Sequence, residues 1–168
     1  MLAAQAAAVV TVHAIDRMRT ARIPGGVHGF PTLPPADTQI GDTVARTYTE
    51  GTSLYADMLE AIEGATHHIY FETFIWRSDR WGQRFKTALI DAAKRGVEVF
   101  CVWDGFGVLN QDPRFYKFPV MPNLHVRKFP TLRSGFFTLN IRRTGQDHRK
   151  ILVVDGKVGF VGGYNIGD

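Results

Sequence analysis

Apolar residues recur at helical spacing in two stretches of the chain. Residues 53–63 repeat apolar side chains every three or four positions, begin at Ser53, a residue type that caps helices, and are followed by Gly64. Residues 79–95 show the same periodicity and are followed by Gly96. The pattern therefore predicts two amphipathic helices that each bury one stripe of side chains.

Three other stretches are predicted to be strands, and the first two have the short, nearly continuous apolar runs that are typical of buried strands. The three stretches are residues 68–76, 97–103 and 124–129. The first two strands alternate with the two helices, in the order helix, strand, helix, strand. This order predicts parallel strands that are joined by right-handed crossovers.

The carboxyl-terminal segment predicts a hairpin. Residues 148–154 are rich in β-branched side chains, Asp155 and Gly156 form a two-residue turn signal, and residues 158–162 can return as a second strand. Together with the helices, these strands predict an α/β fold with a mixed, largely parallel sheet that is flanked by helices.

The first 45 residues differ in composition from the rest of the chain. Residues 1–12 are rich in alanine and valine, which favours a helical start, but they lack a basic beginning and are shorter than the roughly 20 apolar residues that span a bilayer. Residues 23–42 are rich in proline and glycine and are expected to lack regular structure. We therefore predict a leader over residues 1–45, a domain over residues 46–168, and neither a signal peptide nor a transmembrane helix.

Composition limits the possible partners and sites. The formal charge of +4 and the pI of about 9.4 favour an anionic partner, without choosing among lipid headgroups, nucleic acid and other phosphoesters. Cys101, the only cysteine, lies in an apolar run and is expected to be an inert, buried thiol. His67 and His68 would face opposite sides of a strand, so no metal site is predicted.

His148 and Lys150 are the strongest candidates for chemistry. Side chains two residues apart on a strand point to the same face, so an extended segment would place the imidazole beside the amine. The imidazole can act as a nucleophile or proton carrier, while the ammonium neutralises phosphoryl oxygens. This pair therefore suits attack on a phosphate diester.

These residues belong to a longer pattern, HxKxxxxDxxxxxxGGxN, which includes Asp155, Gly162, Gly163 and Asn165. The pattern resembles the HKD motif of the phospholipase D superfamily, and the run HRKILVVDG is similar to its bacterial cardiolipin synthase branch. Residues 70–76 and 103–107 resemble the first core strand and the turn after the second core strand of that branch. The fold implied by this resemblance is a phospholipase D-like half-domain.

The resemblance also implies a mechanism and a substrate. It implies that His148, Lys150 and Asp155 are the catalytic set, and that the reaction proceeds through a phosphohistidine without metal or cofactor. The implied substrate is an anionic phospholipid, reached by peripheral contact with a membrane from the cytoplasm or the inner membrane face. The resemblance implies that His148 is the nucleophile. A single motif, however, does not tell whether a histidine acts as nucleophile or as general acid.

The remaining site residues have alternative interpretations. Glu72, a carboxylate within a buried strand, could orient a histidine or form an ion pair with an arginine or lysine. Asp155 suits anchoring of the hairpin better than proton transfer. Gly162 and Gly163 are expected to allow close approach of the backbone behind the site. Asn165 could donate its amide to phosphate or cap a turn.

The sequence has one HKD motif, whereas cardiolipin synthase-like enzymes have two. The resemblance covers residues 47–168, so we expect the first half of such an enzyme, cut shortly after the motif. Activity would then require the other half or a second copy of the chain. One alternative is a homodimeric phosphodiesterase of the nuclease type, which would act on nucleic acid, a partner less favoured here than phospholipid. The other alternative is an inactive fragment that binds anionic lipid or a partner subunit.

Overall fold

The computed structural model describes residues 10–12, 14–15, 17–18, 32–130 and 147–168. The chain divides into two units, Met1–Glu50 and Gly51–Asp168. In the first unit, the described residues between 10 and 18 are helical. The candidate site residues all lie in the second unit.

The first unit also contains an antiparallel hairpin. Strand β1 (Ala36–Ile40) pairs with β2 (Thr43–Thr47), and the connecting turn places Gly41 at a φ of 58°, which glycine adopts at little cost. Arg46 donates to both carboxylate oxygens of Asp37 across the two strands, at 2.7 and 2.9 Å. Asp37 and Arg46 are direct partners in the register of the hairpin, so this ion pair joins the two strands.

The prediction of irregular structure over residues 23–42 is wrong for residues 36–40. The proline residues end just before this strand, so they do not interrupt its hydrogen bonds. All five residues of β1 are exposed and most of them are polar, so the strand lacks the alternation of apolar and polar residues that would identify it in a sequence.

The second unit is built on a five-stranded mixed sheet. Its elements in chain order are α1 (Gly51–Glu63), β3 (His68–Thr73), α2 (Arg80–Lys94), β4 (Glu98–Asp104), β5 (Leu124–Phe129), β6 (Ile151–Val154) and β7 (Val158–Val161). The strand order is β5-β4-β3-β6-β7, with β3, β4 and β5 parallel and with β6 and β7 added antiparallel. The predicted fold class is confirmed.

The core lies between the two helices and one face of the sheet. Along β3, Ile69, Phe71 and Thr73 are buried, whereas Tyr70 on the opposite face is 48% exposed. The helices contribute their apolar stripes to the same core: Tyr55, Met58, Leu59, Ile62, Trp81, Phe85, Ala88, Leu89, Ala92 and Ala93. Neither these helices nor the helical residues described near the amino terminus are long and apolar enough to cross a membrane.

Three strands are shorter than the sequence predicted, and β7 differs by one residue because it ends at Val161. β3 ends at Thr73 rather than at residue 76, because the following residues hydrogen-bond to residues beyond β7: the Ile166 amide donates to the Ile75 carbonyl at 3.0 Å. Trp76 is nevertheless fully buried, so the apolar pattern continues although the strand has ended. Similarly, β6 begins at Ile151 rather than at residue 148.

The predicted turn between β6 and β7 is confirmed. Asp155 and Gly156 have φ values of 53° and 65°, both in the left-handed region, and the Lys157 amide donates to the Val154 carbonyl at 3.0 Å. Val154 and Val158 are the paired residues on either side, so three residues, 155–157, connect the strands rather than the two that the sequence indicated. The turn lies at the end of the sheet opposite to His148 and Lys150.

Candidate functional site

His148 and Lys150 lie side by side, immediately before β6. The Lys150 Nζ atom is 3.3 Å from each of the two ring nitrogens of His148, and it donates to the His148 carbonyl oxygen at 2.9 Å. His148 is exposed and Lys150 is half-buried. Burial lowers the pKa of the Lys150 ammonium, an effect that the negative charge of Asp147 opposes.

The pair lies at the edge of the sheet where the parallel strands end. Ile151, the first residue of β6, pairs with Glu72 near the carboxyl end of β3, so residues 148–150 extend beyond that end. Ligands commonly bind at this edge in α/β sheets. The two side chains are therefore accessible to a phosphate group.

Phe74 forms a wall of the site that the sequence did not identify. Its ring centroid is 4.5 Å from that of His148, and the Lys150 Nζ atom lies 5.3 Å from the same ring. Contact with an aromatic ring is favourable for the ammonium and restricts the imidazole. The only sequence signal for Phe74 was its place in an apolar run, which indicated a core residue.

Glu72 lies below the pair and contacts an arginine. Its Oε1 atom is 2.8 Å from Nη2 of Arg149, and among the described residues it contacts no histidine. The ion-pair interpretation of Glu72 therefore matches the structure better than the histidine-orienting one. Burial, a hydrogen bond with Asp147 and the charge of Asp147 raise the pKa of Glu72 to about 7, against an opposing effect of Arg149.

Two buried aspartates support the segment that carries His148. The Asp147 amide donates to Oδ2 of Asp104 at 2.8 Å, and Asp104 is fully buried at the end of β4. The other oxygen of Asp104 accepts from the amides of Phe106 and Gly107 at 2.7 and 3.2 Å. The sequence indicated the position of Asp104 at a strand end but not its partner, because residues 104 and 147 are far apart in the chain.

Asp155 anchors the hairpin to the chain that enters β3. Its carboxylate accepts from the amide and hydroxyl of Thr66 at 2.9 and 2.8 Å, and from the amides of His67 and His68 at 2.8 and 2.9 Å. Burial opposes ionisation, but the backbone hydrogen bonds outweigh it and hold the pKa of Asp155 well below its ordinary value. Its contacts are those of a structural anchor.

We expect the substitution Asp155→Asn to destabilise the protein by about 1–2 kcal/mol, because an amide offers one acceptor oxygen in place of two charged ones. Asparagine tolerates the left-handed backbone at this position, so the substitution tests the hydrogen bonds rather than the turn. Urea unfolding of both proteins at pH 7 measures the difference. Equal midpoints and slopes would contradict this role of Asp155.

The same contacts predict a dependence of stability on pH. Because the folded state lowers the pKa of Asp155, its contribution is fully present above the ordinary value of 3.8 and is lost as the pH falls below it. We expect the free energy of unfolding to decrease below about pH 4, and to decrease less steeply in Asp155→Asn. Urea unfolding of both proteins between pH 2.5 and about 5 measures the two slopes, and parallel slopes would contradict the prediction.

Gly162 and Gly163 have open space around them among the described residues. A Cβ atom at either position would have no other atom within 4 Å, and neither residue has a positive φ. No described residue makes the close backbone approach that the sequence predicted, so this role of the two glycines stays a prediction. Both glycines are exposed beyond β7, on the same edge of the sheet as His148.

Asn165 ties the segment after β7 to the end of β3. Its Oδ1 atom accepts from the Ile75 amide at 3.1 Å, and its carbonyl oxygen accepts from the hydroxyl of Tyr55. These contacts match the turn-capping interpretation. The amide nitrogen of Asn165 makes no hydrogen bond to another described residue, so donation to a phosphate remains a proposal.

Cys101 is fully buried in β4, and burial raises the pKa of its thiol far above the ordinary value. Such a thiol is unreactive, as the sequence indicated. Within the described ranges, no three His, Cys, Asp or Glu side chains are grouped so that they could hold a metal ion.

Comparison with known proteins identifies relatives of this chain. Residues 58–168 match the family described as cardiolipin synthase, PLD-like domain. The chain is 37% identical over 155 residues to a cardiolipin synthase of Geobacillus, and 37% identical over 128 residues to cardiolipin synthase 1 of Bacillus anthracis. These alignments cover 88% and 75% of this chain, but only 30% and 24% of the relatives.

A solved structure supports the fold. NucT from Helicobacter pylori superposes with a TM-score of 0.50 at 16% sequence identity, over 67% of each chain. At this identity the similarity supports the fold alone. The chain thus has a fold similar to that of this structure, and its sequence is similar to a segment of less than one third of each of the two synthases.

Proposed function

Because the chain belongs to the family of phospholipase D-like domains of cardiolipin synthases, we propose that Gly51–Asp168 is one catalytic half of a phosphatidyltransferase. The substrates would be anionic phospholipid phosphodiesters such as phosphatidylglycerol. The contact between the exposed imidazole of His148 and the amine of Lys150 carries this proposal. Both groups are at the open edge of the sheet, where a headgroup phosphate can reach them.

In the first step, a ring nitrogen of His148 attacks phosphorus. A phosphorus–nitrogen bond forms, the bond from phosphorus to one alcohol oxygen breaks, and the alcohol leaves with a proton from a second histidine. Lys150 neutralises the phosphoryl oxygens, whose charge is most concentrated in the transition state. Its reduced solvation makes that interaction stronger than it would be in bulk water.

In the second step, the second histidine removes a proton from an incoming hydroxyl group. The hydroxyl oxygen attacks phosphorus, the phosphorus–nitrogen bond breaks, and His148 is regenerated. A second phosphatidylglycerol as acceptor yields cardiolipin, whereas water yields phosphatidic acid. Glycerol is the alcohol released in the first step when phosphatidylglycerol is the donor.

The second histidine would come from another HKD half. This half is either the remainder of a longer enzyme, in keeping with the short segment of each relative that is matched, or a second copy of this chain. The open edge at Gly162 and Gly163 leaves room for such a partner. We place the complete enzyme at a membrane surface, where its lipid substrates are.

The experiment mixes this chain with the part of the Geobacillus cardiolipin synthase that lies beyond the matched segment. Vesicles of phosphatidylglycerol are the substrate, EDTA is present, and lipid products are measured by mass spectrometry. Cardiolipin or phosphatidic acid from the mixture supports the proposal. Product from this chain alone, with a rate that rises as the square of its concentration, supports completion of the site by a second copy.

The controls separate this proposal from the alternatives. Plasmid DNA replaces the vesicles in a parallel reaction, and nicked DNA without lipid products would favour a nuclease. Absence of any product from the mixture and from the chain alone would overturn the proposal and favour a fragment without activity. The variant His148→Ala in the same mixture controls for contaminating enzymes.

A further inference from the structure

Arg149, the residue between His148 and Lys150, is held by two carboxylates. Its Nη2 atom is 2.8 Å from Oε1 of Glu72, and its Nε atom is 3.0 Å from Oδ1 of Asp147. Nη2 also donates to Oδ2 of Asp147 at 3.3 Å, so the guanidinium binds both carboxylate oxygens of Asp147. The side chains of Asp147 and Glu72 are only 5% and 20% exposed.

This cluster is attached to two strands of the sheet. Glu72 belongs to β3, and Asp147 is joined through its amide to the buried Asp104 at the end of β4. The segment at residues 147–150 precedes β6 and has no pairing in the sheet. Strand pairing with β3 begins only at Ile151, so the ion pair between Arg149 and Glu72 connects this segment to β3.

We propose that Arg149 is a positioning residue, which fixes the backbone between His148 and Lys150 so that imidazole and amine meet the same phosphate. This inference rests on the proposed function. His148 and Lys150 are the direct neighbours of Arg149 in the chain. If Arg149 lost its contacts with Glu72 and Asp147, both catalytic side chains would therefore move. A displacement of about 1 Å in a catalytic group is enough to reduce a rate about 100-fold.

The alternative role for Arg149 is direct binding of phosphate, since its side chain is 66% exposed. Two of its nitrogens, Nε and Nη2, are already bonded to carboxylates, and two carboxylates beside it reduce the attraction for an anion. In the described part of the chain, the charged and titratable groups near Glu72 are Asp147, Arg149, Lys150 and Tyr164, and Asp104 accepts from the amide of Asp147. The surroundings favour positioning, and the two roles predict different kinetics.

The kinetic experiment compares Arg149→Lys and Arg149→Gln in the complete lipid reaction. A positioning role predicts that kcat falls about 10- to 100-fold in both variants while KM changes less than about threefold. Glutamine lacks the charge, and the single ammonium of lysine cannot reproduce the contacts of a guanidinium with two carboxylates. A phosphate-binding role predicts a raised KM that Arg149→Lys largely restores, and this result would overturn the inference. Arg84→Gln, an exposed arginine on α2, is the matched control.

A second experiment needs no activity. In the NMR spectrum of the intact chain, we expect a nuclear Overhauser effect between the rings of His148 and Phe74, which are 4.5 Å apart. We expect it to weaken in Arg149→Gln and in Arg149→Lys, and to persist in Arg84→Gln. An unchanged signal in folded Arg149 variants would overturn the inference.

The pKa of Glu72 gives an independent test of the contacts among Glu72, Asp147 and Arg149. We expect the pKa of Glu72 to be lower in Asp147→Asn than in the unmodified chain, because the hydrogen bond with Asp147 and the negative charge of Asp147 both raise it. An equal midpoint in both proteins would contradict the placement of Glu72 and Asp147 on the same guanidinium group of Arg149. If the NMR readouts respond as expected but no lipid product forms in any reaction, the positioning geometry stands and the proposed function fails.

Discussion

His148→Ala is expected to abolish phosphatidyl transfer, with a loss of at least about 10,000-fold in kcat. The imidazole is the group that forms the covalent bond to phosphorus in the proposed reaction, and no other described side chain at this edge can replace it. Cardiolipin and phosphatidic acid are measured with phosphatidylglycerol vesicles and the complementing half. The effect should appear in kcat, because Lys150 remains to bind the phosphate.

His125→Ala is the matched control for His148. The His125 side chain is 46% exposed on β5, where it pairs with Glu98 and stacks on Phe100, away from the HKD segment. Its replacement should leave the rate within about twofold. Retention of more than a tenth of the rate by His148→Ala would contradict its role as the nucleophile.

Lys150→Met is expected to reduce kcat by about 100- to 1,000-fold, the range observed when one donor that stabilises a developing charge is removed. Methionine retains the length and packing of the side chain, so the loss reports the charge. The rate with phosphatidylglycerol gives the measurement, and thermal unfolding verifies that the variant is folded. Lys150→Arg should recover part of the rate because it restores the positive charge.

Lys94→Met is the control for Lys150. This lysine is exposed at the end of α2 and pairs with Asp91. The two methionine variants remove the same charge from the chain, so long-range attraction of the protein to an anionic vesicle falls similarly in both. Equal rates for the two variants would assign the effect of Lys150 to general charge and would contradict its contact with the phosphate.

Local pattern predicted most of the fold of the second unit. The two helices, the three parallel strands and the hairpin at Asp155 were identified because each has its own periodicity or turn signal. The hairpin of β1 and β2 was missed because exposed polar strands have no such signal. The end of β3 was misplaced because Trp76 is buried by pairing with residues after β7, a contact between distant parts of the chain.

The site was only partly predictable for the same reason. Contact of His148 with Lys150 follows from a spacing of two residues, so the sequence predicted it directly. The partners of Glu72 and Asp104 are Arg149 and Asp147, which are distant in sequence and meet only when β6 aligns with β3. Adjacent residues in the motif therefore have different contacts, which the motif alone does not distinguish.

The two glycines of the motif illustrate a different limit. Glycine in a sequence indicates either an unusual backbone angle or a close neighbour. Gly162 and Gly163 have neither in the described part of this chain. A neighbour supplied by the other half of the enzyme would account for them, which agrees with the proposal that this site is completed by a partner.

The central claim is that His148 carries the phosphatidyl group, and a trapping experiment tests it most directly. Phosphatidylglycerol labelled with ³²P in its phosphate is mixed with the chain and its complementing half, quenched in alkali within milliseconds, and digested. We predict that the label is found on the peptide that contains His148 and is absent from it in His148→Ala. Product formation with no label on this peptide, or with the label elsewhere in the chain, would contradict the account.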